Sequence, residues 1–344
     1  VTLTYDTTSS TKSLALCFYG SSNISMNAVK KVLKTVTDKP TNLQRFLFNA
    51  QFKDNSDRII NESLFDNINV SNADLLFASS NIISVTKRLF KTNNNIISGQ
   101  GLFKSCTSLT NLSSDSLPNI FTDLRGGFYN CTSLYQPPSI SNLTNLTNVD
   151  GLFCGCSQLQ YSMKNLTKNI LDTSDSNYIS PKHATSNNKE GDFYLISTYP
   201  LINLTTAVGM YYNTKIKGVS EITVSGDGTT IAQSCFPEKY FKNNTKLKKL
   251  IGMFQHCSNI TTILPNNFID SSIVENVDGM FAYTNIYSES SLTDANNVLP
   301  ANFFYESKSD TNILTSLGSP TVNDITTISE YSSETDLLKE TSKD

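Results

Sequence analysis

Cysteine is the residue type in this chain with the most chemistry open to it, and its placement is regular. Seven occur in 344 residues, an odd number that cannot close completely into internal disulfides. Four share one slot: Cys106, Cys131, Cys156 and Cys257 each stand three residues after a phenylalanine, in the phrase G-x-F-x-x-C. Thiols so repeated can ligate a metal, oxidise in pairs or pack as small apolar groups. Neighbouring units of a stacked chain lie about 4.8 Å apart with parallel side chains, whereas a disulfide wants converging Cβ atoms at about 3.8 Å. A ladder of buried free thiols is therefore expected, and Thr214 and Thr284 in the same slot fit a requirement for a small side chain. Cys154-Gly155-Cys156 is the one pair close enough to chelate or bridge, yet zinc normally takes four ligands and no histidine or second pair lies near it in sequence. Cys17 and Cys235 stand alone.

Other reactive groups are sparse. Of two histidines, His256 sits where other units place Ser105, Asn130 and Gly155, which predicts an exposed filler, and His183 lies in a polar stretch. No zincin, nucleophile-elbow, Walker or dinucleotide motif occurs. The stretch from Asp172 to Asn177 lacks the spacing and closing glutamate of a calcium loop. Asn-x-Ser/Thr triplets at Asn111, Asn142, Asn145, Asn203 and Asn259 are what so Asn- and Thr-rich a composition supplies. The expectation is a non-enzymatic chain with no catalytic residue, no cofactor and no metal.

Charged residues are 17% and the formal net charge is -3, so the basic footprint of a nucleic-acid or anionic-membrane binder is missing. No run approaches the roughly 20 apolar residues of a membrane helix, and no membrane insertion is expected. The first residue is Val1 rather than Met, as expected of a processed product or a piece of a longer polypeptide.

The elements that must position these residues are repeats. Gly101-Leu102-Phe103, Gly126-Gly127-Phe128 and Gly151-Leu152-Phe153 open three units whose phenylalanines are 25 residues apart. The phrase returns at Gly252-Met253-Phe254, and in shortened form at Gly279-Met280-Phe281, at Gly209-Met210-Tyr211 and upstream at Leu76-Phe77. Phe18 and Phe48 are fainter candidates. Steps of the form L-P-x-x-F (Leu117 to Phe121, Leu264 to Phe268, Leu299 to Phe303) and apolar pairs before the glycine (Leu146 and Val149, Val274 and Val277) complete about five apolar anchors per unit. Burying each is worth roughly 1.5 to 3 kcal/mol, and a unit of this size covers its apolar face only against its neighbours. The predicted fold class is a repeat solenoid, with leucine-rich-repeat-like α/β or mainly β coils of about 25 residues and an N-terminal capping helix.

These phrases resemble the BspA-like leucine-rich repeats, in the Met-Phe/Cys variant found in surface proteins of low-GC bacteria and in some phages and protists. The resemblance covers roughly residues 70 to 160 and 205 to 305. It implies a short strand after the cysteine, a turn or short helix through G-x-F-x-x-C, and a binding role at a surface without naming a ligand.

The expected organisation is a cap over residues 1–40 and degenerate repeats over 41–100, followed by regular repeats over 101–160. A polar excursion is expected at 161–200, then repeats over 201–316 interrupted by a hairpin at 220–232, and a polar acidic tail over 317–344. In the cap, Ser25 can start a helix reaching Asp38, with Val29, Val32, Leu33 and Val36 on one face and Pro40 beyond its end. The hairpin is read from Ile222-Thr223-Val224-Ser225 and Thr229-Thr230-Ile231 around Gly226-Asp227-Gly228.

A binding face is expected where outward residues of successive units align just after the repeat leucine. One row is Thr110, Tyr135, Gln160 and Thr261, and the next is Asn111, Gln136, Tyr161 and Thr262. Tyr135, Gln136, Gln160 and Tyr161 are the candidate binding residues, since a tyrosine offers a flat apolar body with a polar tip. The expected function is adhesion or receptor binding to a protein or glycan on another surface, by an extracellular or cell-surface chain that can be a homo-oligomer or part of a larger assembly. The alternative is a structural or receptor-binding component of a phage virion.

Overall fold

The computed structural model describes residues 12–36, 40–66, 68–90, 96, 98–113, 116–135, 137–138, 143–160, 201–216, 219–223, 230–234, 241, 244–260, 274–276, 280 and 284. Within these, one backbone pattern recurs. Each unit carries two residues with left-handed φ, four positions apart: Leu16 and Gly20, Arg45 and Asn49, Leu75 and Ser79, Gly101 and Ser105, Gly126 and Asn130, Gly151 and Gly155, Gly209 and Asn213, Gly252 and His256. Between them the N–H groups alternate in direction. Those of Gly101, Phe103 and Ser105 donate to the carbonyls of Arg125, Gly127 and Tyr129 in the following unit, at 2.8, 2.8 and 2.6 Å. Those of Leu102, Lys104 and Cys106 instead close four-residue turns onto Gly99, Gly101 and Phe103. In the first and last of these turns the third residue has positive φ, the type II arrangement that favours glycine or asparagine there. The glycine of the repeat phrase answers that demand.

Side chains follow the same register. Phe77, Phe103, Phe128, Phe153, Tyr211 and Phe254 form one column, each ring stacked on the next with centroids 5.2, 5.6, 5.5, 5.6 and 5.6 Å apart. All six are fully buried and belong to one continuous core. Phe65 and Phe90 stack at 5.4 Å in a second column that Phe121, of the L-P-x-x-F step, joins edge-on at 6.3 Å. In the second unit the column position belongs to Leu47 rather than Phe48, because Leu16 and Phe18 donate to Gln44 and Phe46. Phe48 falls one residue outward and stacks on Tyr19 at 5.0 Å.

Strands are short and mostly parallel, one from each successive unit. β1 (Lys12–Ser13), β2 (Pro40–Asn42) and β4 (Asn69–Asn72) form one sheet, and β3 (Ile59–Ile60), β5 (Ser84–Val85) and β6 (Asn111–Leu112) another. Single-residue parallel bridges extend the series through Ser98, Asp123, Asn148, Thr206, Lys249 and Asn276. The long spacings insert chain without inserting a rung: Gly151, Phe153 and Gly155 donate directly to Val208, Met210 and Tyr212, and Gly209, Tyr211 and Asn213 to Ile251, Met253 and Gln255. Within the second interval β7 (Val219–Thr223) and β8 (Thr230–Ser234) pair antiparallel with Ile222 opposite Ile231. The excursion at 161–200 and the tail at 317–344 lie outside the described residues.

Helix α1 spans Met26–Leu33 and tightens into a 3-10 turn over Lys34–Val36. Ser25 caps it by accepting the Ala28 N–H at 3.3 Å, and Met26, Val29 and Leu33 face the core. The helix leaves Leu16 and Tyr19 of the first unit 51% and 53% exposed.

Two glycines of one unit differ in what they tolerate. A Cβ at Gly151 would meet nothing closer than 3.7 Å, so Gly151→Ala carries only the left-handed backbone cost of about 1–2 kcal/mol. A Cβ at Gly155 would lie 1.9 Å from the Asn130 Oδ1 atom. Urea unfolding is expected to show Gly155→Ala as the more destabilising change, and Asn130→Gly in the same chain, which removes the side chain and keeps the left-handed φ accessible, should return most of the difference.

Candidate functional site

Three side-chain rows run across the units. The first is the outward row after the repeat leucine, where Ile83 donates its N–H to the Arg58 carbonyl and Thr110 its N–H to that of Ile83, both at 2.8 Å. Two units further on, Gln160 donates to the Tyr135 carbonyl at 3.2 Å. Tyr135 is 42% exposed, and Gln160 beside it is half-buried. Thr110, exposed, is fixed by its hydroxyl bond to the Ile83 carbonyl at 3.1 Å, and Asn111 next to it is exposed as well. Of the four expected binding residues, Tyr135 and Gln160 are therefore brought side by side, and Gln136 and Tyr161 lie outside the described residues, as do Thr261 and Thr262. The row also runs upstream to Arg58 and Ile83, which the sequence reading did not include. Arg58 is held there by Nε–H donation to the Asn81 carbonyl at 2.8 Å and Nη1–H donation to Asn55 at 2.9 Å.

The second row is the thiol slot. Cys106, Cys131, Cys156 and Cys257 are free and fully buried. Each S–H donates to the carbonyl of the column residue one unit back: Phe77 at 2.9 Å, Phe103 at 3.1 Å, Phe128 at 3.0 Å and Tyr211 at 2.9 Å. That carbonyl already accepts the N–H closing its own turn, as Phe103 does from Cys106, so the thiol occupies its second lone pair. The slot thus wants a small side chain with a donor. Thr214 fits, its hydroxyl 3.3 Å from the Cys257 sulfur, and Ser80 lies 3.5 Å from that of Cys106. Burial pushes Cys106 and Cys154 up to about 12 and Cys257 up to about 11, and raises Cys131 and Cys156 far above the ordinary thiol range. Protonated thiols neither ligate metal nor attack electrophiles at neutral pH. Among the described residues no three His, Cys, Asp or Glu side chains gather as a metal site.

A third row is carboxylate and amide. Asp74 accepts the Ser98 hydroxyl at 2.6 Å and the Gln100 N–H at 3.1 Å, and Asp150 repeats this with Thr206 at 2.6 Å and Val208 at 2.7 Å. Asn42, Asn72, Asp123 and Asn148 each accept the N–H two residues on, at 2.8 to 3.0 Å, which prepares the turn that follows. Burial raises the carboxyls of Asp74 and Asp150 above the ordinary aspartate range, and the Ser98 and Thr206 hydroxyl bonds oppose it only in part. Arg125 neutralises Asp123 through an ion pair at 2.9 Å.

Several remaining candidates are structural. Asn145, Asn203 and Asn259 each donate their side-chain amide to the preceding unit, to Asn119, Thr144 and Lys215. Asn244 occupies a buried apolar slot and satisfies all four of its hydrogen-bonding positions, donating to Leu201 and Leu204 and accepting from Lys246 and Leu247. His256 is half-buried rather than an exposed filler, lying edge-on to Tyr212 at 5.3 Å, and burial lowers its pKa. His183, Asn142, Cys235 and residues 172–177 lie outside the described residues.

No protein-family model, curated protein or solved structure matches the chain. Geometry alone decides between the rows. The thiols and carboxylates spend their polar groups inside the array, and the outward row keeps side chains toward solvent. Among the described residues no helix is long and apolar enough to cross a membrane.

Two outcomes follow. In the native chain at pH 8, Cys106, Cys131, Cys156 and Cys257 should resist iodoacetamide and become labelled only on unfolding, as read by peptide mass spectrometry. Cys131→Ser should fold nearly as well as the parent, and Cys131→Val should cost about 1 kcal/mol for the lost donor. For the carboxyls the sign is set by the raised folded-state value: the folded chain holds its proton to higher pH than the unfolded one. Their contribution is full below the unfolded aspartate value and declines as pH rises through the folded value. Asp150→Asn should therefore flatten the fall in melting temperature between pH 4 and pH 7.

Proposed function

We propose that the chain is a leucine-rich-repeat-like solenoid of the BspA-like kind, displayed at a cell surface, which binds a protein or glycan on another surface and catalyses no reaction. The observation that carries this reading is the exposed Tyr135 ring in register with Gln160, on a backbone fixed by unit-to-unit hydrogen bonds. A rigid, half-apolar ring beside an amide suits adhesion, because little conformational entropy is lost when a partner settles on it. Thr110 and Asn111 add hydroxyl and amide groups on the adjoining unit, and Ile59, Ile83 and Arg58 extend the face with mixed character. Such a face recognises a neutral polar surface better than a strongly charged one. The deep burial of the thiols and of Asp74 and Asp150 supports a non-catalytic reading, since the groups best suited to acid, base or nucleophilic work are packed between units.

A glycan array and a panel of host-cell surfaces probed with the purified chain test the proposal. Binding to one class is expected, weakened at least about tenfold by Tyr135→Ala and less by Gln160→Ala, with the melting temperature unchanged because both side chains reach solvent. Retention identical to the parent in the double variant would remove this face from consideration.

A further inference from the structure

Each residue of the outward row stands one unit above the last, so the row repeats at the height of the stacked core. Ile83 is tied to Arg58, and Thr110 to Ile83, by backbone bonds of 2.8 Å, and Gln160 is tied to Tyr135 at 3.2 Å. Parallel strands so joined lie about 4.8 Å apart, and the stacked rings inside the same units are 5.2 to 5.6 Å apart. From Arg58 to Gln160 the row therefore climbs four steps, about 20 Å in all.

Its side chains are held in place. Arg58 spends its Nε–H on the Asn81 carbonyl and an Nη1–H on Asn55, which fixes the guanidinium and leaves the Nη2 N–H groups without a partner among the described residues. Thr110 gives its hydroxyl proton to the Ile83 carbonyl, so its oxygen can only accept from a ligand. Half-buried Ile83 and exposed Tyr135 alternate with these polar groups, and the half-buried Gln160 amide, donor and acceptor at once, ends the row. With Asp57 next to Arg58 in the chain, the charges at that end balance. The order along the row is donor, apolar, acceptor, ring, amide. A ligand that answers it is uncharged, carries hydroxyls and C–H faces together, and repeats about once per unit.

Few extended polymers keep that step. Side chains on one face of a peptide strand recur every second residue, about 6.7 Å, and four such intervals overshoot the row by more than one unit. An α-helix has a pitch of about 5.4 Å, yet it docks by laying an apolar stripe into an apolar groove, and here Thr110 separates Ile83 from Tyr135. A chain of pyranose sugars joined through equatorial 1,4 bonds advances by about one unit height per sugar, with hydroxyls along both edges and C–H groups on its faces.

We infer that the row from Arg58 to Gln160 takes an uncharged linear polysaccharide of β-1,4-linked pyranose sugars, laid along the stacking direction with one sugar's C–H face on Tyr135. Sugar hydroxyls donate to Thr110 and accept from Arg58 and Gln160. The inference rests on the surface-binding reading above and narrows it to one ligand class. Five row positions set the length, so about five sugars fill it.

Isothermal titration calorimetry of the full chain with cello-oligosaccharides and N-acetylated chito-oligosaccharides of two to six sugars tests this. In the series that binds, affinity should rise at least about tenfold between three and five sugars and level off beyond five. Malto-oligosaccharides of the same lengths, which coil, should bind at least about tenfold more weakly. Tyr135→Ala should weaken every length, and Arg58→Gln should bring the pentasaccharide down toward the trisaccharide. No binding by either β-linked series, affinity that ignores length, or equal binding of the coiled series would overturn the inference. Binding to cells or to the glycan array that Tyr135→Ala abolishes, with no response to either β-linked series, would overturn the ligand class and leave the surface-binding reading standing. An absence of Tyr135-dependent binding in every assay would remove both.

Discussion

Every feature of this molecule depends on how its backbone divides its hydrogen bonds. Within each G-x-F stretch, alternate N–H groups close a local turn and the others reach the next unit. Neither set alone would do. Turns without the outward bonds would leave half of the buried donors without partners, a cost of about 1–3 kcal/mol each. The outward bonds without the turns would need extended strands too long for a unit of this size. The division works only if two residues per unit adopt left-handed φ, which is why small or turn-forming residues dominate both places.

The exceptions show how strong that constraint is. Leu16, Arg45 and Leu75 hold the first left-handed position in the three earliest units, where a side chain costs about 1–2 kcal/mol relative to glycine. At Leu75 the side chain has a use, for its Cδ2 atom lies 2.5 Å from where a Cβ at Gly101 would stand. Glycine in one unit and leucine in the previous one are therefore a matched pair. The same matching appears where Asn130 leans over Gly155. Identity in one unit is set by what its neighbour projects, so the repeat is regular in backbone and variable in side chain.

Much of this was legible in the spacing of Gly101, Phe103 and Cys106 and their successors, because a column of stacked rings needs one large apolar residue at a constant backbone place. The phrase that leaves off at Gly155 resumes at Gly209, and the unit-to-unit bonds pass directly from one to the other. Less visible were positions where unlike residues do one job. Leu47 stands in for phenylalanine, and Ser98 and Thr206 sit in a series of asparagines and aspartates. The pattern Asn-x-Asp before the left-handed residue, at Asn72 and Asn148, was the signal for the carboxylate row. It was masked by the apolar residues between, which read as core anchors. The thiol slot was legible as buried, but its donor role was not, since size alone explains serine, threonine and cysteine equally well until the Phe103 and Phe128 carbonyls are seen beyond them.

The two sides of each unit run their hydrogen bonds in opposite senses. On the G-x-F side the donors belong to the earlier unit, whereas on a second flank they belong to the later one: Thr110 donates back to Ile83, Thr147 to Thr122, Thr205 to Thr147, and Lys248 to Thr205. Aligned peptide dipoles in a helix add up and leave fractional charges at its two termini. Here the bonds running in the two senses oppose one another, so each added layer contributes less to an axial field than the G-x-F ladder alone would.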